Sequence, residues 1–289
     1  MKPASFAYVA PRSLEEAFAA LVGPEARPLA GGQSLVPMLA LRLVRPGLVV
    51  DLNRISGMAG IHEEGDEIRI GAMARQAAVL GSPVIAKRLP LIAQALAEVG
   101  HPPTRARGTI GGSLSHADPA AELPAVMLAE EARIVVRRAL GERILPVAAF
   151  FRGMFETAIE QGELLTEIRI SVPKGVVGTG FAEVARRQGD FAVALAAAKI
   201  RLDDAGRCDL ARIVIGAVAP MPLRCTAIEA QLLGRPLDAE VLAAAIAAFP
   251  QSEIAMDNQT ASRGYRIAVA PVVLRRALEA ALARAENRP

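Results

Sequence analysis

At 289 residues the chain is long enough for two domains, each with its own core, and its 52% hydrophobic content argues against disorder. Aromatic residues make up only 3% and Trp is absent, while the 33 basic and 30 acidic residues are spread along the chain for a net charge of +3. With basic clusters no larger than pairs such as Arg137-Arg138 and Arg275-Arg276, neither the stacking platforms nor the long basic runs of a nucleic-acid surface are present.

No run reaches the roughly 18 apolar residues of a membrane span, and residues 1–13 lack the apolar core of a signal peptide. The expected location is cytoplasmic. Cys208 and Cys225 stand in no metal spacing. They are expected as small buried hydrophobes and cannot hold an iron–sulfur cluster, which usually takes four cysteines.

Taken in order, residues 5–9 read as a short strand. Ser13 caps a helix with Glu16 at the capping-box position, and Gly23 ends it. Residues 27–30 form a strand that delivers a Gly pair, Pro37 opens a helix to about Leu43, and residues 48–52 are a buried strand. The first fifty residues are therefore an α/β unit. Strands follow at 60–62 and 67–70, then helical patches at 75–80, 83–87 and 91–99, the last stopped by His101-Pro102-Pro103. Beyond a Gly-rich stretch and a helix from Pro119 to Ala129 come strands at 133–137, 144–147 and 163–172.

Residues 174–180, with three glycines in seven, are the linker candidate. After them come strands at 180–187, 192–202 and 209–219, the last two joined by a turn at 203–206, then helices at 226–233, 238–248 and 263–285. Three strands followed by three helices is an α+β pattern, with a boundary near residue 176.

Two motifs carry the functional reading. The stretch 107–122, RGTIGGSLSHADPAAE, combines glycines, hydroxyls, a His and two carboxylates. Gly108, Gly111 and Gly112 let the backbone bend and a ligand approach it. Backbone N–H groups in such a bend beside a helix start suit an anion, and Asp118 and Glu122 suit hydroxyls such as those of a ribose. The same residues equally suit a tight turn ahead of a core helix. A second stretch, 28–38, PLAGGQSLVPM, repeats the Gly-Gly-polar arrangement. Two such segments can hold one long diphosphate from two sides.

On Ala30-Gly31-Gly32-Gln33-Ser34-Leu35, Thr109-Ile110-Gly111-Gly112-Ser113, His116-Ala117-Asp118-Pro119 and Glu122-Leu123-Pro124, the chain resembles the FAD-binding medium subunits of the molybdenum hydroxylases. These include the carbon monoxide dehydrogenase, quinoline oxidoreductase and xanthine dehydrogenase types. The resemblance covers essentially the whole chain. It implies an α+β fold, with a two-part N-terminal FAD-binding α/β region (1–175, divided into about 1–57 and 58–175). A C-terminal domain (176–289) would hold a three-stranded antiparallel sheet with a helix bundle.

The resemblance further implies that both Gly segments hold the FAD pyrophosphate through backbone N–H groups, with no room for a Cβ at Gly31, Gly32, Gly111 and Gly112. Gln33, Ser34, Thr109 and Ser113 would donate side-chain bonds, and Asp118 and Glu122 would accept from ribose or adenine. Leu165 (or Leu164) would be an apolar contact, and Phe191 would cover a ring face. For Glu122 an exposed first-turn carboxylate is the alternative, and for Phe191 it is core packing. Glu183 stands where many relatives carry Lys, which removes a cationic contact; Ser113 stands where many carry Asn.

On partner chains the resemblance implies a large subunit with a molybdenum-molybdopterin cofactor and a small subunit with two [2Fe-2S] clusters, in a dimer of heterotrimers. No GxSxG, HExxH, Walker A or GxGxxG pattern occurs, and neighbouring Ser115, His116 and Asp118 do not make a triad, whose members come from distant segments. No catalytic residue and no metal ligand is expected on this chain. The alternatives are a self-contained flavin-dependent oxidoreductase, with His101 or His116 as its base, and a non-redox nucleotide-binding scaffold.

Overall fold

The computed structural model describes residues 2–287. The first fifty form a βαβαβ unit of β1 (Ala7–Val9), α1 (Leu14–Ala20), β2 (Ala26–Leu29), α2 (Leu35–Ala40) and β3 (Leu48–Asp51), with parallel strands in the order β1-β3-β2. The Ser13 hydroxyl accepts from Glu16 N–H at 3.2 Å, and the Glu16 carboxylate accepts from Arg12 N–H at 2.8 Å. That is a reciprocal cap shifted by one residue from the expected box. Helix α1 stops at Leu21, before Gly23 is reached. Helix α2 begins at Leu35, and Pro37 lies inside its first turn, where a missing N–H costs nothing.

A second layer comprises β4 (Ile61–Glu64), β5 (Glu67–Gly71), α3 (Gln76–Leu80), α4 (Pro83–Arg88), α5 (Pro90–Glu98), α6 (Pro102–Arg107), α7 (Ile110–His116), α8 (Glu122–Ala129), β6 (Arg133–Arg138), β7 (Gly141–Pro146), β8 (Phe151–Gly153), β9 (Glu156–Thr157) and β10 (Leu164–Ser171). Its antiparallel sheet has the order β4-β5-β10-β6-β7. The prolines after His101 do not only stop a helix. Gly100 (φ +48°) turns the chain and Pro102 opens α6. The central Gly pair is also helical, inside the first turn of α7. Helix α8 starts at Glu122 rather than Pro119, because Asp118 ties down a turn: its carboxylate accepts from Ala120 N–H at 2.9 Å and its carbonyl from Ala121 N–H at 3.1 Å.

The last part comprises β11 (Gly178–Ala185), β12 (Ala192–Leu202), β13 (Cys208–Gly216), β14 (Leu223–Arg224), α9 (Thr226–Leu232), α10 (Ala239–Ala247) and α11 (Arg263–Glu286). Three long antiparallel strands carry the two-residue β14 at one edge, and α9, α10 and α11 cover one face. The architecture is the α+β one expected from the sequence. Two glycines of the expected linker belong to β11. A Cβ on Gly178 or Gly180 would lie under 3.0 Å from the carbonyls of Ala281 or Ala277 on α11. These glycines serve close packing of strand on helix, not flexibility.

Strand β12 is buried on both faces. Leu195 and Ala197, with Val214 and Ala217, join the core around α8, all eight of whose residues are buried. Ala194, Ala196, Ala198 and Ile200 face the core under α9, α10 and α11. Lys199 reaches from β12 to Glu130 at the end of α8 in an ion pair whose side chains are 7% and 1% exposed. Cys208 and Cys225 are free and buried, which pushes both thiols well above the usual range.

Candidate functional site

A cleft of about 840 Å³ runs between the first α/β unit, helices α6 to α8, the segment after β8 and the hairpin between β11 and β12. Ala30, Gly31, Gly32, Gln33, Ser34 and Leu35 line it, as do Thr109, Gly111, Gly112, Ser113, His116, Asp118, Glu122, Leu165 and Phe191. Segments as far apart in the chain as Ala30 and Phe191 are thus brought to one cavity. Two expected residues do not line it. Ile110 is fully buried in the core. Glu183 sits on β11 behind the cleft, with Oε2 buried and without a hydrogen-bond partner.

The two Gly segments touch each other and differ in what they offer. A Cβ on Gly31 would lie under 3.0 Å from the Arg107 carbonyl, and one on Gly111 would strike Ala72. At these two positions the absent side chain is required by the protein's own packing, not by room for a phosphate. Gly32 has φ +75°, which favours glycine on backbone grounds. At α7 the first N–H groups are already engaged: Ile110 donates to Ala74 O at 3.0 Å, Gly111 to Ala72 O at 2.8 Å and Gly112 to Thr109 Oγ1 at 3.0 Å. In the first segment, by contrast, the N–H groups of Gly32, Gln33 and Ser34 meet no acceptor among the described residues. The first segment presents backbone donors, and the second presents a flat glycine surface with hydroxyls beside it.

Arg75 and Asn53 stitch the segments together. Asn53 Nδ2 donates to Ala30 O at 2.9 Å, Arg75 Nη2 donates to Asn53 Oδ1 at 2.5 Å, and Arg75 Nη1 donates to Arg107 O. Gln76 lines the cleft wall with a buried Oε1 that accepts from nothing. None of these three was singled out from the sequence. They lie outside the Gly-rich runs, and a polar residue in a short helix or loop carries no local signal of what it reaches in space.

Glu122 is 5% exposed, so it is not the exposed first-turn carboxylate that its position allowed. Burial pushes it up to about 8, helped by the charges of Glu183, Asp118 and Glu98. Burial likewise pushes Glu183 up to about 7, with Glu98 adding to it. Burial holds His116 below its ordinary value against the opposing pull of Asp118. Phe191 is 56% exposed and therefore not core packing. Its hairpin presses Gly189 (φ +82°) against His101 and Gly100, closing one end of the cleft. Phe155, missed from the sequence, is 53% exposed, lines the cleft and lies 5.1 Å from the His116 ring.

Residues 4–174 match the family described as the FAD binding domain in molybdopterin dehydrogenase, and residues 179–281 match the CO dehydrogenase flavoprotein C-terminal domain. The chain belongs to the FAD-binding subunits of the molybdenum hydroxylases. This flavoprotein subunit is 41% identical over 288 residues to the 6-hydroxypseudooxynicotine dehydrogenase complex subunit alpha of Paenarthrobacter nicotinovorans, covering 99% of this chain and 97% of that one. It is 39% identical over 289 residues to the carbon monoxide dehydrogenase medium chain of Afipia carboxidovorans, covering 99% and 100%. The carbon monoxide dehydrogenase structure from Hydrogenophaga pseudoflava superposes with a TM-score of 0.95 at 38% identity, covering 98% of this chain and 99% of that one.

The residues of the flavoprotein subunit fit its family's FAD. The cleft lies in the upper part of the roughly 300–1,000 Å³ range of small-molecule sites, as a dinucleotide requires. Three free N–H groups at Gly32, Gln33 and Ser34 suit a diphosphate, and the orphan Gln76 Oε1 offers an acceptor at the wall. Among the described residues no helix is long and apolar enough to cross a membrane.

Proposed function

We propose that this FAD-binding oxidoreductase subunit is the electron-transfer subunit of a molybdenum-containing hydroxylase. It passes electrons from two [2Fe-2S] clusters on a small partner subunit, through FAD, to an external acceptor. Substrate is oxidised on a large molybdenum-cofactor subunit, and the assembly is a dimer of heterotrimers. One observation carries this reading: a single dinucleotide-sized cleft gathers both Gly segments and the polar groups around them. The relatives' designations as a complex subunit and a medium chain support the partner chains.

In this reading the N–H groups of Gly32, Gln33 and Ser34 hold the diphosphate, with the Thr109 and Ser113 hydroxyls beside them. Asp118 and Glu122 meet ribose or base polar groups, and Leu165 and Phe191 give apolar cover. His116 and Ala30, Leu35, Gly31, Gly111 and Gly112 complete the wall. Glu183, set behind the cleft, acts on the site through Glu122. Bound FAD supplies a carrier that takes electrons singly and releases them in pairs, while the protein supplies orientation and electrostatics. Residues 1–175 (about 1–57 and 58–175) would form the FAD-binding part and 176–289 the C-terminal part. The break between separate sheets on either side of 172–177 supports that division.

The test is a visible spectrum of the complex purified from its native cells, with identification of released flavin and of copurifying chains. Noncovalent FAD together with a molybdenum chain and an iron–sulfur chain is the expected result. FAD on a lone chain that turns over a substrate would replace this reading with a self-contained flavoenzyme. A colourless complex that takes up no added FAD would overturn it.

A further inference from the structure

Of the eight phenylalanines, two, Phe155 and Phe191, are among the exposed large hydrophobic residues, and both line the cleft. An aromatic ring left in water at the wall of a binding cleft awaits an apolar or planar partner. Phe191 was already expected to cover a ring. Phe155 has no role so far, yet it is built into place at some cost. Its backbone is left-handed (φ +57°), as is that of Ala117 (φ +50°), and the two are joined by Phe155 N–H donating to Ala117 O at 3.0 Å. Left-handed backbone in residues other than glycine persists only where surrounding structure enforces it, and such residues cluster at ligand clamps. Here the effect is to bring the Phe155 ring beside His116, centroids 5.1 Å apart and planes at 42°.

The placement fits a dinucleotide. Ala30–Ser34 abuts the junction of α6 and α7: Gly31 lies against Arg107, and the Gly112 Cα side faces the Ala30 methyl. His116 is four residues beyond Gly112, about 6 Å along α7 at 1.5 Å per residue. His101, beside the hairpin that carries Phe191, is six residues before Arg107, about 9 Å along α6. Aromatic groups thus stand at the far end of each helix from the junction that the first Gly segment meets, so a dinucleotide with its diphosphate at that segment has an aromatic group along the wall in each direction of the chain.

We propose that Phe155, supported by His116, is a stacking shelf for one planar ring system of the bound dinucleotide. The inference rests on the FAD reading given above. The ring is adenine or isoalloxazine, which share a flat π-face.

The test uses the purified complex with wild-type chain, Phe155→Gly and Phe155→Trp. Glycine adopts the left-handed backbone without strain, so Phe155→Gly removes the ring and spares the fold; Trp keeps an aromatic face. The first readout is the rate of flavin release on dilution, followed by recovery of free-flavin fluorescence. Removing one aromatic stack is expected to speed release about 5- to 150-fold, with Phe155→Trp close to wild type. A Phe155→Gly complex that releases flavin within twofold of wild type would overturn the proposal while leaving the FAD reading intact. A wild-type complex with no flavin would instead remove the FAD reading itself. Competition against FAD uptake by the stripped complex then assigns the ring. Weaker competition by ADP in Phe155→Gly identifies adenine, and weaker competition by FMN identifies isoalloxazine; unchanged competition by both counts against the shelf.

Discussion

Glu122 shows how one buried residue links the site to stability. In the unfolded chain a Glu titrates near about 4.3, whereas burial and the neighbouring carboxylates push Glu122 up to about 8 in the native state. The native protein therefore keeps a proton that the unfolded chain gives up. By linkage, this group favours the fold fully below the unfolded value, and the contribution is lost as pH rises through the window from about 4.3 to about 8. Glu183, pushed up to about 7, contributes in the same direction. Glu122→Gln, which cannot ionise, is expected to flatten the fall in stability of the apo chain between pH 5 and pH 8 by at least about 1 kcal/mol. Urea denaturation of both proteins at the two pH values measures it; parallel slopes would refute the assignment.

At the scale of elements, Gly180 sets how closely β11 approaches α11. A Cβ there would meet the Ala277 carbonyl, part of a helix backbone that cannot swing aside as a side chain would. Gly180→Ala should destabilise the chain by about 1–3 kcal/mol through overpacking, read as a lower urea midpoint at unchanged m-value. That residue also shows what the sequence hides. In 174–180 the glycines read as a linker, because Gly density marks flexible chain and nothing local records a helix passing a hundred residues later. The same logic misread the Gly pair of α7. Gly is a poor helix former, yet Gly111 is helical, and contact with Ala72 leaves no space for another residue. Elements with their own periodicity were legible throughout: β12, α10 and α11 lie within one residue of expectation, and β13 stops three residues before its expected end. The two-residue strands β9 and β14 carry no pattern to read. In the site, the expected contact residues within the two motifs reach the cleft apart from Ile110, while Phe155 and Gln76 are placed there, and Arg75 is set to tie the two Gly segments together, by tertiary structure alone.

Across the whole molecule, the sheet of β11 to β14 lies between two cores, and Lys199 with Glu130 is a buried ion pair within the first of these interfaces. Both charges are almost fully buried, so removing one partner strands the other. Lys199→Met is expected to cost about 3–5 kcal/mol, and Lys199→Met with Glu130→Leu to recover most of it, since apolar replacement of a whole buried pair is often neutral. Thermal unfolding of the two variants decides between a stabilising pair and one that is merely mutually dependent; equal losses in both would mean that the charges themselves are needed.

The contact between Gly31 and Arg107 also bears on how such a chain can change over generations. Each Gly segment is part of the other's floor, so the smallest enlargement of the first displaces backbone in the second. The pair is inherited as a matched set. A chimera that takes its first fifty-seven residues from one family member and the rest from another keeps the seam only where both parents close it in the same way. The cofactor cleft is therefore a poor place for piecemeal evolution, and variation is expected to collect at its outer ends, where Phe155 and Phe191 stand free of that seam.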